Sequence, residues 1–237
     1  MIHLILQGKG GVGKSLIASL LTQYLMQRSE PLLCIDTDPV NDTFTQYAAF
    51  HAYRLPLIND EQMIDVRAFD TLIDKLLSHE GRAVVDNGAS TFIPLSAYIN
   101  SHQIIELFQQ AGKTIYIHTI LTGGQAMDDT LVGLQSLVES QPAPIVVWEN
   151  EFFGDITKDG KHFVESKFYE KYKARLLGPV TLQKRQQETF GKDLENMIAA
   201  KMTFDEAYQS EHFGTMPKHR LRLMQRAIFD QLNTLSI

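Results

Sequence analysis

Gln7-Gly8-Lys9-Gly10-Gly11-Val12-Gly13-Lys14-Ser15 decides how this chain is read. An apolar run at residues 2–6 precedes it and an apolar-periodic pattern at 16–25 follows it. Strand, glycine-rich loop, helix is the context in which G-x-x-x-x-G-K-[ST] acts as a phosphate cradle. The backbone N–H groups of Gly10, Gly11, Val12, Gly13, Ser15 and Leu16 are placed to hold phosphate oxygens, helped by the positive end of the helix. Lys14 is placed to reach the β- and γ-phosphates, and the Ser15 hydroxyl to ligate Mg²⁺. The expected ligands are therefore ATP or ADP with Mg²⁺.

Outward from this loop, apolar runs recur at 32–35, 83–85, 114–120, 145–148 and near 174–182, separated by helical patterns at 15–26, roughly 61–77, 95–110, 125–138 and 183–200. Several of the runs are continuous rather than alternating, as in strands covered on both faces. The alternation predicts an α/β fold, a doubly wound, mostly parallel sheet with helices on both faces, with ligands at the carboxyl ends of the strands. No internal repeat, low-complexity segment or linker interrupts it, so residues 1–237 read as a single P-loop domain. Residues 152–163 contain Asp159-Gly160 and read as a small hairpin or an exposed loop.

Composition narrows the class. At 44% apolar residues the chain is not a disordered one. The single cysteine, Cys34, excludes an internal disulfide and an iron–sulfur cluster held by this chain alone. A net charge of −6 gives no global attraction to nucleic acid, so DNA binding would need a local patch. No apolar run approaches the ~20 residues of a membrane helix, and the N-terminus enters the first strand directly, without a signal peptide. A bacterial cytoplasmic protein is expected.

Three further strand ends carry polar groups. Asp36-Thr37-Asp38-Pro39 follows the second strand; one carboxylate can sit near Mg²⁺ while the other polarises an attacking water, or the stretch is an Asx-Pro turn. Asp86 ends the run Val84-Val85 in the pattern that holds Mg²⁺ through water. Asn150 ends the run 145–149, where turn formation is the plain alternative to a ligand contact, and the neighbouring Trp148 reads as core. Thr122-Gly123-Gly124-Gln125 offers either an anion-binding helix start or simple turn chemistry.

The second lysine, Lys9, makes the loop resemble the deviant Walker A box of the ParA/MinD family of ATPases. That resemblance implies that Lys9 reaches across a two-fold interface to the partner's nucleotide, so that a homodimer forms with ATP. It implies that Asp38 orients the water and Asp36 supports the metal region together with Ser15 and Asp86. It also implies that Asn150 bonds the adenine. The chain departs from the family pattern at Val40, where a glutamine is usual, and at Asn87-Gly88-Ala89, where Thr-Pro-Pro or similar is usual. In residues 7–15, 33–41, 86–90, 117–119 and 122–126 it is further similar to the TraL proteins of conjugative plasmids. That likeness implies a slowly hydrolysing ATPase, a molecular switch in conjugative transfer or plasmid DNA positioning, with a DNA-binding adaptor or conjugation protein as partner.

An amphipathic helix at about 216–235 puts Leu221, Met224, Ile228, Leu232 and Leu235 on one stripe and Lys218, Arg222 and Arg226 beside it. It reads as a packed surface helix, a non-specific DNA-backbone patch, or, less favoured, a membrane-surface helix. The competing class is an ATP-dependent small-molecule enzyme of the dethiobiotin-synthetase-like type, for which no substrate-fixing set of polar residues is evident. A bacterial P-loop tyrosine kinase is disfavoured, because no tyrosine follows Tyr208.

Overall fold

The computed structural model describes residues 1–55, 57, 65–158 and 160–237. Seven strands form one sheet: β1 (Ile2–Ile5), β2 (Leu32–Asp36), β3 (Tyr53–Arg54), β4 (Arg82–Asp86), β5 (Ile115–Thr122), β6 (Ile145–Asn150) and β9 (Leu176–Leu182). The order is β3-β2-β4-β1-β5-β6-β9, and every pairing is parallel. Two further short strands, β7 (Thr157–Lys158) and β8 (Lys161–His162), pair antiparallel, so of the two readings of residues 152–163, hairpin or exposed loop, the hairpin is present. The strand order runs outward in both directions from β1, so the crevice of this doubly wound sheet opens above the carboxyl end of β1, where the glycine-rich loop begins.

Both faces of the sheet are buried, which is why the strands read as unbroken apolar runs. Successive residues feed opposite layers. Leu4, Val85, Ile117 and Val147 join a cluster with helices α2 (Val66–Ser78), α3 (Phe92–Ser101), α4 (Ile104–Gln110) and α5 (Met127–Ser140). Ile5, Val84, Val146 and Trp148 join the other, with α1 (Lys14–Leu25), α7 (Lys192–Ala199), α8 (Phe204–Gln209) and α9 (Thr215–Asn233).

The six strands expected from the pattern are present, and two of the expected helices differ in extent. The helix expected over 95–110 is two helices, because Gln103 takes the left-handed conformation (φ 50°) between them. That break lets Ile99 on one side and Ile104, Ile105 and Phe108 on the other reach the same cluster. The helix expected over 183–200 begins only near residue 187, in a wide π turn that continues into α7. Of the helix expected over 61–77, residues 61–64 lie outside the described residues, as does Asp159 of the hairpin turn. Two short helices were not evident from periodicity, α6 (Lys167–Tyr172) and α8. The latter starts at a capping box in which Thr203 Oγ1 accepts from Glu206 N at 3.2 Å and Glu206 Oε2 accepts from Thr203 N at 2.8 Å. Among the described residues no helix is long and apolar enough to cross a membrane.

Candidate functional site

The glycine-rich loop turns on two left-handed residues, Gly11 (φ 75°) and Gly13 (φ 103°), and Gly13 is the N-cap of α1. Only glycine takes such angles without strain. With no side chain capping this helix, its first N–H groups face the loop, the arrangement that receives an anion. Lys14 is buried under the loop and donates from Nζ to the Lys9 carbonyl at 3.0 Å, a bond that curls the loop around the ammonium. Burial lowers the affinity of Lys14 for its proton, and the carboxylates of Asp86 and Asp38 oppose that shift.

Asp86 ends β4 beside Asp36, its register partner at the end of β2. It is 1% exposed, bonds the Ser15 side chain, and its Oδ1 has no hydrogen-bond partner among the described residues. Burial pushes its carboxyl up to about 7. An unsatisfied buried carboxylate oxygen next to a hydroxyl is an unfavourable arrangement that a divalent cation relieves. The residues present therefore fit Mg²⁺, with Ser15 and Asp86 as the groups to hold it.

Asp36 is used differently. Its Oδ1 accepts from Asp38 N at 3.0 Å, and its Oδ2 accepts from Phe44 N at 3.1 Å and Thr45 N at 3.2 Å. Burial raises its carboxyl while these three amides favour the charged form. Both oxygens are thus engaged in folding the arc 38–45, and direct metal ligation would compete with them. Asp38 stands on that arc with Oδ1 accepting from Val40 N at 2.9 Å and Asn41 N at 3.1 Å. The Asx turn that the sequence offered for this stretch is present. Across the crevice Gly88 packs on it: a Cβ there would lie 2.9 Å from Asp38 Oδ1. The neighbouring Asn87 is buried and ties strands together, accepting from Thr37 Oγ1 at 2.8 Å and donating to the Ile5 carbonyl at 3.1 Å. Val40, where the family pattern has a glutamine, is exposed.

Lys9 projects to the other side of the loop and pairs with Asp129, in the first turn of α5, at 2.7 Å. Beneath it the buried Gln7 donates from Nε2 to the Ile120 carbonyl at 2.9 Å, to Thr119 Oγ1 and to the Thr130 carbonyl, while its Oε1 accepts from Lys9 N at 3.4 Å. Gly133 is there for this side chain, since a Cβ on it would stand 2.3 Å from Gln7 Oε1. Gln7 was not singled out from sequence; its position directly before the loop was the available signal.

Asn150 is buried against the loop, donating from Nδ2 to the Val12 carbonyl at 3.0 Å and accepting at Oδ1 from Phe152 N at 3.2 Å. It clamps the glycine-rich loop to the end of β6, with one N–H and one lone pair of its amide still open. It also lines a cavity of about 730 Å³. Gly11, Gly13, Leu16 and Leu20 wall the cavity on one side. Residues 181–187 and α7 wall it on another, and Met224, Ala227, Ile228 and Gln231 of α9 close it. The last helix, for which the sequence offers surface packing, a DNA-backbone patch or a membrane-surface helix, packs its apolar stripe inward and forms a wall of this cavity. Gln231 fixes it there, its Oε1 accepting from Thr181 N at 2.7 Å and its Nε2 donating to the Thr181 carbonyl at 3.1 Å. The Gly123-Gly124 pair is explained by packing, since Cβ atoms there would stand 2.3 Å from the Gly154 carbonyl and 2.8 Å from the Phe153 carbonyl.

No protein-family model matches the chain. Two proteins of Escherichia coli named TraL are 42% and 40% identical to it, each covering 100% of this chain and 98% of the relative. Among solved structures, a plasmid partition protein of Borrelia burgdorferi bound to AMPPNP superposes with a TM-score of 0.55 at 17% identity, covering 99% of both chains. The cell-division protein MinD of Aquifex aeolicus superposes with a TM-score of 0.52 at 15% identity, covering 100% of this chain and 98% of that one. These two likenesses speak to the fold, which is that of the ParA/MinD-type P-loop proteins. At the identity shared with the first two relatives over its whole length, the chain belongs to the TraL proteins.

Proposed function

We propose that this chain is an ATP-binding, slowly hydrolysing switch that dimerises with ATP and acts in plasmid conjugative transfer or plasmid DNA positioning. The observation that carries the reading is the buried Asp86 oxygen without a partner, set beside Ser15 and Lys14 under a glycine loop with two left-handed turns. Such a group has a use once phosphates and a cation are present, and little otherwise. The names of the TraL relatives and the AMPPNP in the partition-protein structure support the same reading.

In this reading residues 1–237 work as one ATPase unit. The N–H groups of Gly10, Gly11, Val12, Gly13, Ser15 and Leu16 bind the phosphates, and Lys14 offsets the charge that develops on the γ-phosphoryl oxygens. Mg²⁺, held by Ser15 and Asp86, supplies further charge neutralisation when bound. Asp36 contributes by holding the arc that presents Asp38, and Asp38 orients the attacking water through Oδ2, since Oδ1 is engaged by Val40 N and Asn41 N. Adenosine occupies the cavity closed by α9, beside Asn150. Lys9 leaves Asp129 to meet the nucleotide of a second copy, and the exposed Val40, Ile93, Phe152 and Phe153 around the crevice form the apolar part of that contact. A protein of the transfer machinery or a DNA-binding adaptor then reads the dimer, in the bacterial cytoplasm.

The test is light scattering of Asp38→Ala protein with Mg-ATP and with Mg-ADP, beside Lys14→Ala. A dimer with Mg-ATP alone, lost in Lys14→Ala together with nucleotide binding, is expected. Nucleotide binding retained by Lys14→Ala would overturn the site, and a monomer in both nucleotides would overturn the switch. Phosphate release by the wild-type chain that needs a small metabolite would favour the small-molecule enzyme instead.

A further inference from the structure

The face of α9 turned away from the nucleotide cavity lines a second one. Its wall consists of Gln27, two residues past the end of α1, Tyr208 of α8, and Arg222, Gln225, Arg226 and Phe229 of α9, enclosing about 290 Å³. Among the described residues no acidic side chain lines it. The Tyr208 hydroxyl donates to Gln225 Oε1 at 2.9 Å, which engages that amide's oxygen and leaves its NH₂ as the free end. The Arg222 guanidinium lies 4.6 Å from the centre of the Tyr208 ring, a contact that holds the plane while its edge N–H groups stay available. Among the described residues neither Arg222 nor Arg226 forms an ion pair. The free polar capacity of this wall is thus almost wholly donor: two guanidinium groups one helical turn apart and the amides of Gln27 and Gln225, over a floor of Tyr208 and the buried Phe229.

We infer that this cavity between α1, α8 and α9 is a binding site for a single phosphate group carried by a small molecule. Two guanidiniums and a neutral amide match a phosphate dianion in charge and in donor geometry. The alternative owner of the same chemistry, a nucleic-acid backbone, is met by an extended row of cations that track successive phosphates. Here the stripe offers Lys218, Arg222 and Arg226, after which Asp230 reverses the sign. The cation on the preceding turn, Arg220, is taken by Asp193 at 2.5 Å. On a chain of net charge −6 the two guanidiniums lining this pocket suit one dianion. Because Met224, Ala227, Ile228 and Gln231 of the same helix line the nucleotide cavity, a ligand here is placed to report on what occupies the other side.

The test follows the side-chain amide signals of Gln27 and Gln225 by NMR in the full chain, with Mg-AMPPNP added first so that the phosphate loop is filled. Inorganic phosphate and glycerol phosphate are titrated in, and separately a short DNA duplex with 5′-hydroxyl ends. Saturable shifts with both small anions in the millimolar range are expected, weakened at least tenfold in Arg222→Gln/Arg226→Gln, with the duplex leaving the signals in place. Both arginines are exposed, so the variant keeps its fold, and its unchanged backbone spectrum verifies that. Shifts that do not saturate, or that survive in the variant, overturn the site. A duplex that moves the signals at lower phosphate concentration than the small anions do would overturn it in favour of a backbone track. The site stands apart from the nucleotide reading: phosphate taken up by an unfilled glycine loop is indifferent to the two arginines.

Discussion

A buried histidine pair beneath the site makes the fold acid-sensitive in a calculable way. Trp148 Nε1–H donates to His118 Nδ1 at 3.0 Å, so the proton of His118 is on Nε2, from which it is donated to His3 Nδ1 at 3.0 Å. The His3 proton is then on Nε2, which has no partner. Every acceptor lone pair in the chain is used, and both rings are fully buried, so neither takes a second proton without opposing an existing donor. Burial lowers His3 well below its ordinary value and His118 from 6.5 to about 3. With the folded value depressed, the unfolded chain binds protons below pH 6.5 that the folded chain refuses, and stability falls with pH from about 6.5 down to about 3. For His118 alone the loss between pH 7 and pH 5 is about 2 kcal/mol. In a chain of this length that lowers Tm by roughly 4–8 °C. His118→Gln keeps an acceptor for Trp148 and a donor for His3 and does not titrate. Its own packing defect is the same at both pH values and cancels. The assay is urea unfolding of both proteins at pH 7 and pH 5. The wild type is expected to lose about 2 kcal/mol more than His118→Gln across that interval. An equal loss in the two proteins would refute the reasoning, because the carboxylates they share cannot produce the difference.

Asp86→Asn, without Mg²⁺, should gain on the wild type by about 2–3 kcal/mol from pH 5 to pH 8, because the raised carboxyl costs stability as it ionises through about 7 and the amide does not ionise; calorimetry at the two pH values checks this. The same variant should lose the Mg²⁺-dependent part of nucleotide affinity, read by titration with and without the metal. Asp129→Ala should change stability by less than about 1 kcal/mol, since the pair is half exposed, while bringing ATP-dependent association to lower protein concentration by freeing Lys9; Lys9→Ala should abolish that association and keep nucleotide binding. Analytical ultracentrifugation with Mg-ATP separates these outcomes. Gly133→Ala should destabilise by about 1–3 kcal/mol and weaken nucleotide affinity, because its Cβ displaces the Gln7 amide that braces Lys9 N; thermal melts and a binding isotherm report both.

What could be read in the sequence had a local physical cause. Apolar runs ending at Asp36, Asp86 and Asn150 are visible because strands buried on both faces are largely apolar, so a polar residue at the end of the run stands out. The left-handed turns of the phosphate loop are visible because glycine stands at 11 and 13. The break at Gln103 is invisible for the converse reason: a left-handed residue that is not glycine leaves no mark. The pairing of His3 with His118 joins residues 115 apart, and the binding of Asp36 to Phe44 and Thr45 depends on how a loop returns. Neither spacing is periodic.

The last helix carries the largest such gap, and it bears on how the site works. Its apolar stripe predicts packing and nothing more, because Met224 and Ile228 would look the same against a sheet or around a ligand. What distinguishes the two is Gln231, a polar residue on the inward side that satisfies both the N–H and the carbonyl of Thr181. Thr181 lies on β9, the last strand of the sheet, whose outer edge would otherwise present unpaired backbone groups. One amide therefore satisfies the edge at Thr181 and holds the helix over the cavity by two hydrogen bonds. Leu221, Phe229 and Leu232 bury the same helix in the core along its length, so the wall formed by Met224, Ala227 and Ile228 is fixed by core packing and by this amide together.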